Sequence, residues 1–97
     1  MEGLIVKPEI EDSGTTNITG LTWVKHNNTI TVSAYDVSVT SNVTITGLPT
    51  PSNNAYILGI LVNGSDILGA VQFASAWDLL KIGSGGAHAY GSFTYTI

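Results

Sequence analysis

The chain has 97 residues, the size of one domain, and a formal net charge of −4. Its three lysines, seven acidic residues and lack of arginine exclude the clustered positive charge that nucleic acids and anionic membrane surfaces require. The lack of cysteine excludes disulfides and thiolate metal sites. Charged residues make up 10% of the chain, against roughly 25% in soluble domains, and apolar residues make up 43%. This balance predicts sheets covered on both faces, the outer one by further copies of the chain, with a β-rich domain of many short turns as the alternative.

The first twenty residues differ from the rest of the chain. Residues 4–7 are a short apolar run closed by Pro8, and they predict either an edge strand or the end of a preceding module. Residues 9–19 are polar and predict a loop or connector. We therefore divide the chain into a neck, linker or edge strand over residues 1–20 and a β-sandwich domain over residues 21–97.

A hairpin opens the larger domain. Residues 21–26 and 29–34 alternate between apolar and polar side chains, which is the period of a half-buried strand. Asn27 and Asn28 separate the two runs, and asparagine tolerates the positive φ that two-residue hairpin turns demand. The apolar side chains then move from even to odd positions at Tyr35 and Asp36, which predicts a β-bulge or a turn there.

The middle of the chain contains two further strands. Residues 47–54 include two prolines and predict a surface loop. Residues 56–62 are apolar at odd and even positions alike, which predicts a strand buried on both sides. Asn63 and Gly64 begin the clearest hairpin turn of the chain, and residues 67–73 return with Gly69 opposite or near Gly59.

The C-terminal part completes an all-β pattern. Residues 77–82 are compatible with a single helical turn, but the alternation through Leu80 and Ile82 favours a strand. Residues 83–86 predict a flexible turn, and residues 87–97 predict a last strand with Phe93 and Tyr95 on one face and a kink at Gly91. Seven or eight short strands separated by turns are typical of a β-sandwich or barrel.

The order of several short motifs resembles a known family. The motifs are Trp23 followed by Asn27-Asn28, then Ile45-Thr46-Gly47-Leu48-Pro49-Thr50-Pro51, then Leu79-Leu80-Lys81-Ile82, and finally Tyr90-Gly91-Ser92-Phe93-Thr94-Tyr95. Over residues 21–97 this order is similar to the C-terminal receptor-binding head domain of tail-fibre and baseplate proteins from siphophage-type bacteriophages. The chain departs from the family pattern before residue 21, where no coiled coil or collagen-like shaft is visible.

This resemblance implies a fold, an assembly and a role. The implied fold is all-β, a jelly-roll-like antiparallel β-sandwich, and the implied assembly is a homotrimer. The implied role is attachment to a bacterial cell-surface saccharide, carried out at the tail tip of a virion and outside the cell.

Four residues are candidate ligand contacts: Trp77, Asp78, Tyr56 and His88. Trp77 beside Asp78 combines an apolar ring face with a carboxylate that accepts hydrogen bonds from sugar hydroxyls. The alternatives are a core or subunit-interface aromatic for Trp77 and a solvated strand residue for Asp78. Tyr56, like Tyr90, either stacks on a sugar ring or is buried with a partner for its hydroxyl. For His88 the alternative is an ordinary surface or hydrogen-bonded histidine.

The sequence predicts no catalytic, cofactor or metal site. A glycosidase needs two facing carboxyl groups, whereas Asp66 fits a turn and Asp36 fits the bulge. His26 and His88 would bind a metal only if the fold brought them together with a carboxylate. No Gly-x-Ser-x-Gly motif occurs. We therefore expect a non-enzymatic protein without a cofactor, a nucleic-acid partner or membrane insertion.

Three functional hypotheses follow. The first is a trimeric receptor-binding head that grips a bacterial surface glycan with several weak sites. The second is a structural module of a virion or prophage particle that has no ligand. The third is an extracellular bacterial adhesin or carbohydrate-binding domain, which would be monomeric, so that the mass in solution separates it from the first.

Overall fold

The fold is built from strands and turns. The computed structural model describes residues 12–83 and 88–97, and every regular element in these two ranges is a strand. The eight strands, in chain order, are β1 (Asp12–Thr15), β2 (Leu21–His26), β3 (Thr29–Ser38), β4 (Val43–Ile45), β5 (Ala55–Asn63), β6 (Asp66–Phe73), β7 (Trp77–Lys81) and β8 (His88–Thr96). The prediction of an all-β domain is confirmed. The described part of the chain contains no helix with the length and hydropathy of a membrane span.

The eight strands form one antiparallel sheet with the order β1-β2-β3-β8-β5-β6-β7-β4. Two three-strand meanders, β1-β2-β3 and β5-β6-β7, are joined through the last strand, and β4 crosses to the far edge. The sheet curls so that its two halves share one core, and the sandwich-like architecture is therefore confirmed. The strand order is simpler than the interleaved Greek keys of a jelly roll.

Both predicted hairpins are present with the predicted turns. A two-residue turn joins β2 to β3, and Asn27 in this turn has a φ of 54°. A second two-residue turn joins β5 to β6, and Gly64 there has a φ of 60°. The predicted strand at residues 77–82 is β7, and the C-terminal strand is β8.

The predicted phase slip is a β-bulge in β3. The register of β3 against β8 shifts between Ala34 and Val37, and both of these side chains are buried although they lie three positions apart. Asp36 takes up the extra length with a φ of 57°. The backbone N–H of Tyr35 donates to the carbonyl of Gly20 at 2.9 Å. As a result Tyr35 and Asp36 both lie on the exposed surface.

Residues 12–15 form a strand of the sheet, so the predicted loop over residues 9–19 is wrong at β1. This strand pairs with β2 and places Gly14 opposite Trp23. A Cβ atom at Gly14 would lie 2.6 Å from the indole nitrogen, so the ring packs directly on the backbone of the edge strand. β1 is an edge strand of the sheet. The apolar run at residues 4–7 and most of the predicted turn at residues 83–86 lie outside the described residues.

The two glycines predicted to face each other are displaced along the ladder. Gly59 pairs with Val71, and Gly69 pairs with Leu61, so they lie two positions apart. A Cβ atom at Gly59 would overlap the ring of Phe93. Gly59 therefore makes room for an aromatic side chain of β8 rather than for another glycine.

Within the described residues, strand β5 is not covered on both sides, so burial of both faces of residues 56–62 by a neighbouring copy stays a prediction. The register of β5 against β6 is irregular between Ala55 and Gly59. Tyr56 and Ile57 lie in this irregular stretch and are 77% and 60% exposed, whereas Leu61 is buried. The extra residues of β5 place both of these apolar side chains in solvent.

The core lies between the two halves of the curled sheet. Its largest fully buried side chains come from both halves: Leu21, Ile30, Leu61, Leu79, Val32, Val37, Val39 and Val71. Tyr95 closes one end and donates from its hydroxyl to the carbonyl of Pro49 at 2.7 Å. Burial raises the pKa of Tyr95 well above its ordinary range.

An asparagine side chain joins the two edges of the sheet. Asn17, just after β1, donates from Nδ2 to the carbonyl of Thr44 at 2.9 Å and accepts from the N–H of Thr46 at 2.8 Å. The backbone N–H of Asn17 adds a bond to the Thr46 carbonyl. The side-chain amide thus takes the place of a neighbouring strand along β4, whose free edge would otherwise be a site for pairing with another chain.

Replacing Asn17 with alanine should lower the free energy of unfolding by about 1–2 kcal/mol, because two side-chain hydrogen bonds to backbone groups are lost. Urea denaturation followed by fluorescence measures the change. The matched control is Asn53→Ala, in the exposed loop before β5, which should change the stability by less than about 0.5 kcal/mol. Equal effects of the two variants would contradict the role of Asn17.

Candidate functional site

The four predicted contact residues are spread over three strands. Tyr56 begins β5, Trp77 and Asp78 begin β7, and His88 begins β8. Because Val62 of β5 pairs with Tyr90 of β8, six residues separate Tyr56 from the end of β5 that lies beside His88. At about 3.3 Å per residue this is about 20 Å. The four residues therefore do not form one site within a single chain.

Trp77 is a core residue. It is 5% exposed, and its ring packs against Phe73 and Tyr95 with centroid distances of 5.1 Å each. Its indole N–H is a buried donor without an acceptor among the described residues. A sugar ring could stack on it only after the core had opened, and the geometry supports the alternative of a core aromatic.

Asp78 points away from its neighbour Trp77. Consecutive residues of a strand face opposite sides of the sheet, and Asp78 lies in a polar row between Thr44 of β4 and Gln72 of β6. The hydroxyl of Thr44 donates to Asp78 Oδ1 at 3.4 Å. The carboxylate is half-buried on the outer surface, and it shares no ligand surface with the indole.

The structure instead assembles a cluster at the β3 bulge, made of Tyr35, Asp36, His88 and Tyr90. His88 Nδ1 lies 2.6 Å from Asp36 Oδ1. The rings of Tyr35 and Tyr90 meet edge to face, with centroids 5.5 Å apart and planes at 80°. The two tyrosines are 75% and 39% exposed. We call these four residues the bulge cluster.

The bulge cluster has a negative electrostatic field at its aromatic side. Partial burial raises the pKa of Tyr90, and the negative charge of Asp36, the neighbouring Tyr35 and a hydrogen bond with Asp36 raise it further. A carboxylate near a phenol favours the neutral, proton-donating form of the ring hydroxyl. The cluster thus combines two exposed ring faces with groups that donate and accept hydrogen bonds.

Exposed apolar side chains continue from the bulge cluster across the sheet. Tyr90 pairs with Val62, and Val62 pairs with Ile67, so the three share one face of β8, β5 and β6. Tyr35 extends the row onto β3. We call the exposed Tyr35, Tyr90 and Ile67, together with the half-buried Val62, the exposed apolar row, and apolar surface of this kind often marks a contact with a partner or ligand.

Sequence reasoning found two members of the bulge cluster, His88 and Tyr90, and missed Tyr35 and Asp36 as ligand contacts. The phase slip at Tyr35 and Asp36 was visible, and a slip necessarily turns an extra side chain outward. The pairing of β3 with β8 was not visible, because it joins residues far apart in the chain. The position of Tyr90 beside the bulge follows only from that pairing.

Within residues 12–83 and 88–97, no group of three His, Asp or Glu side chains is placed to hold a metal ion. Asp36 lies on β3 and Asp78 on β7, in opposite halves of the curled sheet and both at its outer surface. These two carboxylates therefore do not face each other across a cleft, which is the arrangement that glycoside hydrolysis uses.

Comparisons of this chain with protein-family models, with curated proteins and with solved structures find no match.

Replacing Asp36 with asparagine should lower the raised pKa of Tyr90 towards the ordinary tyrosine value of about 10, because a negative charge beside the phenol is removed. The pKa should stay above that value, since partial burial is the first cause of the shift. An ultraviolet titration, assigned by subtraction of the Tyr90→Phe variant, measures it. Asp12→Asn on the edge strand β1 should leave the titration unchanged. An unchanged Tyr90 pKa in the Asp36 variant would contradict the proposed field.

Proposed function

We propose that this chain is the non-enzymatic receptor-binding head of a phage tail protein, which recognises a bacterial surface saccharide. The observation that supports this proposal is the bulge cluster, with two exposed tyrosine rings beside a carboxylate and a histidine. Aromatic faces pack against the C–H faces of sugar rings, and carboxylate and imidazole groups hydrogen-bond to hydroxyls. The sequence resemblance of residues 21–97 to phage head domains points to the same function.

The backbone at the bulge cluster supports a binding role. Asp36 holds a positive φ, and residues other than glycine adopt this conformation only where their surroundings impose it. The contact between His88 and Asp36 and the backbone hydrogen bond from Tyr35 to Gly20 hold the bulge in this conformation. The backbone positions of Tyr35 and Asp36 are thereby fixed before a ligand arrives, which reduces the entropy cost of binding.

A homotrimer at the tail tip is the proposed assembly. The support comes from large apolar side chains that one chain leaves in solvent, above all Tyr56 and Ile57 in the irregular stretch of β5. A low density of charge at the surface also favours contact between copies, since few ionic groups must be desolvated. Three linked heads would convert weak single-site affinity into strong attachment.

A structural particle module without a ligand is the second candidate function. The observation that favours it is the exposed apolar row, which another particle protein could cover. The two candidates differ in what reaches the bulge cluster. A saccharide leaves the row partly open to solvent, whereas a protein partner buries the row and the cluster together.

Binding to an array of bacterial surface polysaccharides tests the saccharide proposal. The wild-type protein should bind at least one polysaccharide, and Tyr35→Ser should reduce the signal by roughly fivefold or more, since an exposed ring contact contributes about 1 kcal/mol. Val43→Ser, a change of an exposed apolar side chain on β4, should keep full binding. The absence of binding to every polysaccharide, together with stable incorporation into particles, would favour the structural module instead.

The mass in solution tests the trimer. Size-exclusion chromatography with light scattering should give about three times the chain mass of 10.1 kDa. Replacing Ile57 with serine removes an exposed apolar side chain without opening the core, and it should shift the protein towards the monomer, whereas Val43→Ser should not. A wild-type protein that runs as a stable monomer would contradict the assembly and would favour a bacterial carbohydrate-binding domain.

A further inference from the structure

The ring geometry of the bulge cluster restricts the kind of ligand that fits it. Tyr35 and Tyr90 stand at 80° to each other, so two ring surfaces form a corner. Both rings are solvent-accessible, Tyr35 almost fully. Flat stacking of a sugar on both rings at once is excluded by their angle, but a compact, roughly spherical group can contact both.

The charges around this corner favour a cation. The negative face of an aromatic ring attracts ammonium groups, and the charge of Asp36 acts on the ring of Tyr90. A carboxylate offers two oxygens with about four acceptor positions. It can therefore bind His88 and Tyr90 and still accept a further contact.

The rest of the chain disfavours an anion. The sequence has no arginine to bind a phosphate or carboxylate with two parallel hydrogen bonds, and its net charge is −4. Of the lysines that the structure describes, Lys25 pairs with Ile30 on the part of β3 before the bulge, and Lys81 is on β7. An acidic saccharide at the bulge would be repelled by the Asp36 carboxylate, and neither described lysine lies there to neutralise that charge.

We propose that Tyr35, Tyr90 and Asp36 bind an ammonium group carried by the surface saccharide, either a quaternary ammonium of the choline type or the free amine of an amino sugar. This inference depends on the proposed function and names the ligand class of the same site. The rings supply the cation–π contact, and the carboxylate supplies the opposite charge. His88 is a positioning residue, because its contact with Asp36 Oδ1 holds the carboxylate at the bulge.

Choline and its uncharged isostere 3,3-dimethylbutanol are matched probes, because they share the shape of the head group and differ in charge. Titration followed by NMR chemical shifts of the full chain should show saturable binding of choline at millimolar concentrations. The isostere should bind at least about threefold more weakly, because it loses the cation–π attraction and the charge contact. Equal affinity for the two probes would overturn the inference.

Three variants locate the site. Tyr35→Ala and Tyr90→Ala should each weaken choline binding roughly two- to fivefold, and Asp36→Asn should weaken it by a similar factor. Asp12→Asn on β1 removes an acidic charge elsewhere and should change nothing. Tyr90 pairs with Val62 in the sheet, so Tyr90→Ala also removes a side chain that packs on the sheet. Tyr90→Phe keeps the ring in place and should retain most of the affinity. Full affinity in Asp36→Asn would contradict the role of the carboxylate.

A polysaccharide panel separates failure of this inference from failure of the proposed function. Preferential binding of chitosan or a choline-substituted polysaccharide over fully acetylated and neutral ones supports both. Binding of neutral or acidic polysaccharides alone, lost in Tyr35→Ser, supports the proposed function and overturns the ammonium inference. Stronger binding of a trimethyl-lysine peptide than of any polysaccharide would overturn the saccharide assignment while keeping the ammonium site.

Discussion

The bulge in β3 is the constraint on which the rest of the structure depends. Ala34 and Val37 lie three positions apart on β3, and the side chains of both face the core. A regular strand would turn one of the two sets outward. The chain takes up the extra length at Asp36, where the positive φ is tolerated better by aspartate than by a bulky residue. Core burial and the exposed cluster are thus two results of one backbone distortion.

The low charge of the chain explains how its sheet edges are protected. Many β proteins place lysine or other charges on edge strands to block pairing with other chains, but here only three lysines exist in 97 residues. The sheet curls instead until its two edges meet, and the Asn17 amide bonds to the backbone of β4. The uncharged Asn17 side chain thus provides hydrogen-bond partners for backbone groups at the edge of the sheet. No charged side chain is needed there, which leaves the surface suited to the proposed contact with further copies.

The sequence predicts the local features well and the site poorly, for physical reasons. Alternation and turn chemistry are local, so the β2–β3 and β5–β6 hairpins, the phase slip and the strand at Trp77 could all be predicted. The site depends on β3 meeting β8, a pairing that no local pattern encodes. The proposed pair of Trp77 and Asp78 failed as one surface because neighbours along a strand point to opposite sides. The apolar character of residues 56–62 on both faces predicted that one chain leaves part of them uncovered, whereas the irregular register of β5 that exposes Ile57 could not be predicted.

Two exposed apolar regions lie towards opposite ends of β5, with the 39% exposed Ile60 between them, and the proposed assembly and recognition would use different ends. Tyr56 and Ile57 lie at the start of the strand, while Val62 at its other end adjoins Tyr90 and the bulge cluster. At about 20 Å apart, a contact between copies at the first region leaves the second accessible to a ligand. A trimer built through the start of β5 would then present three bulge clusters on one particle. In this proposed assembly each exposed corner would bind weakly, and simultaneous engagement of several corners on one cell surface would supply the affinity that a single corner lacks.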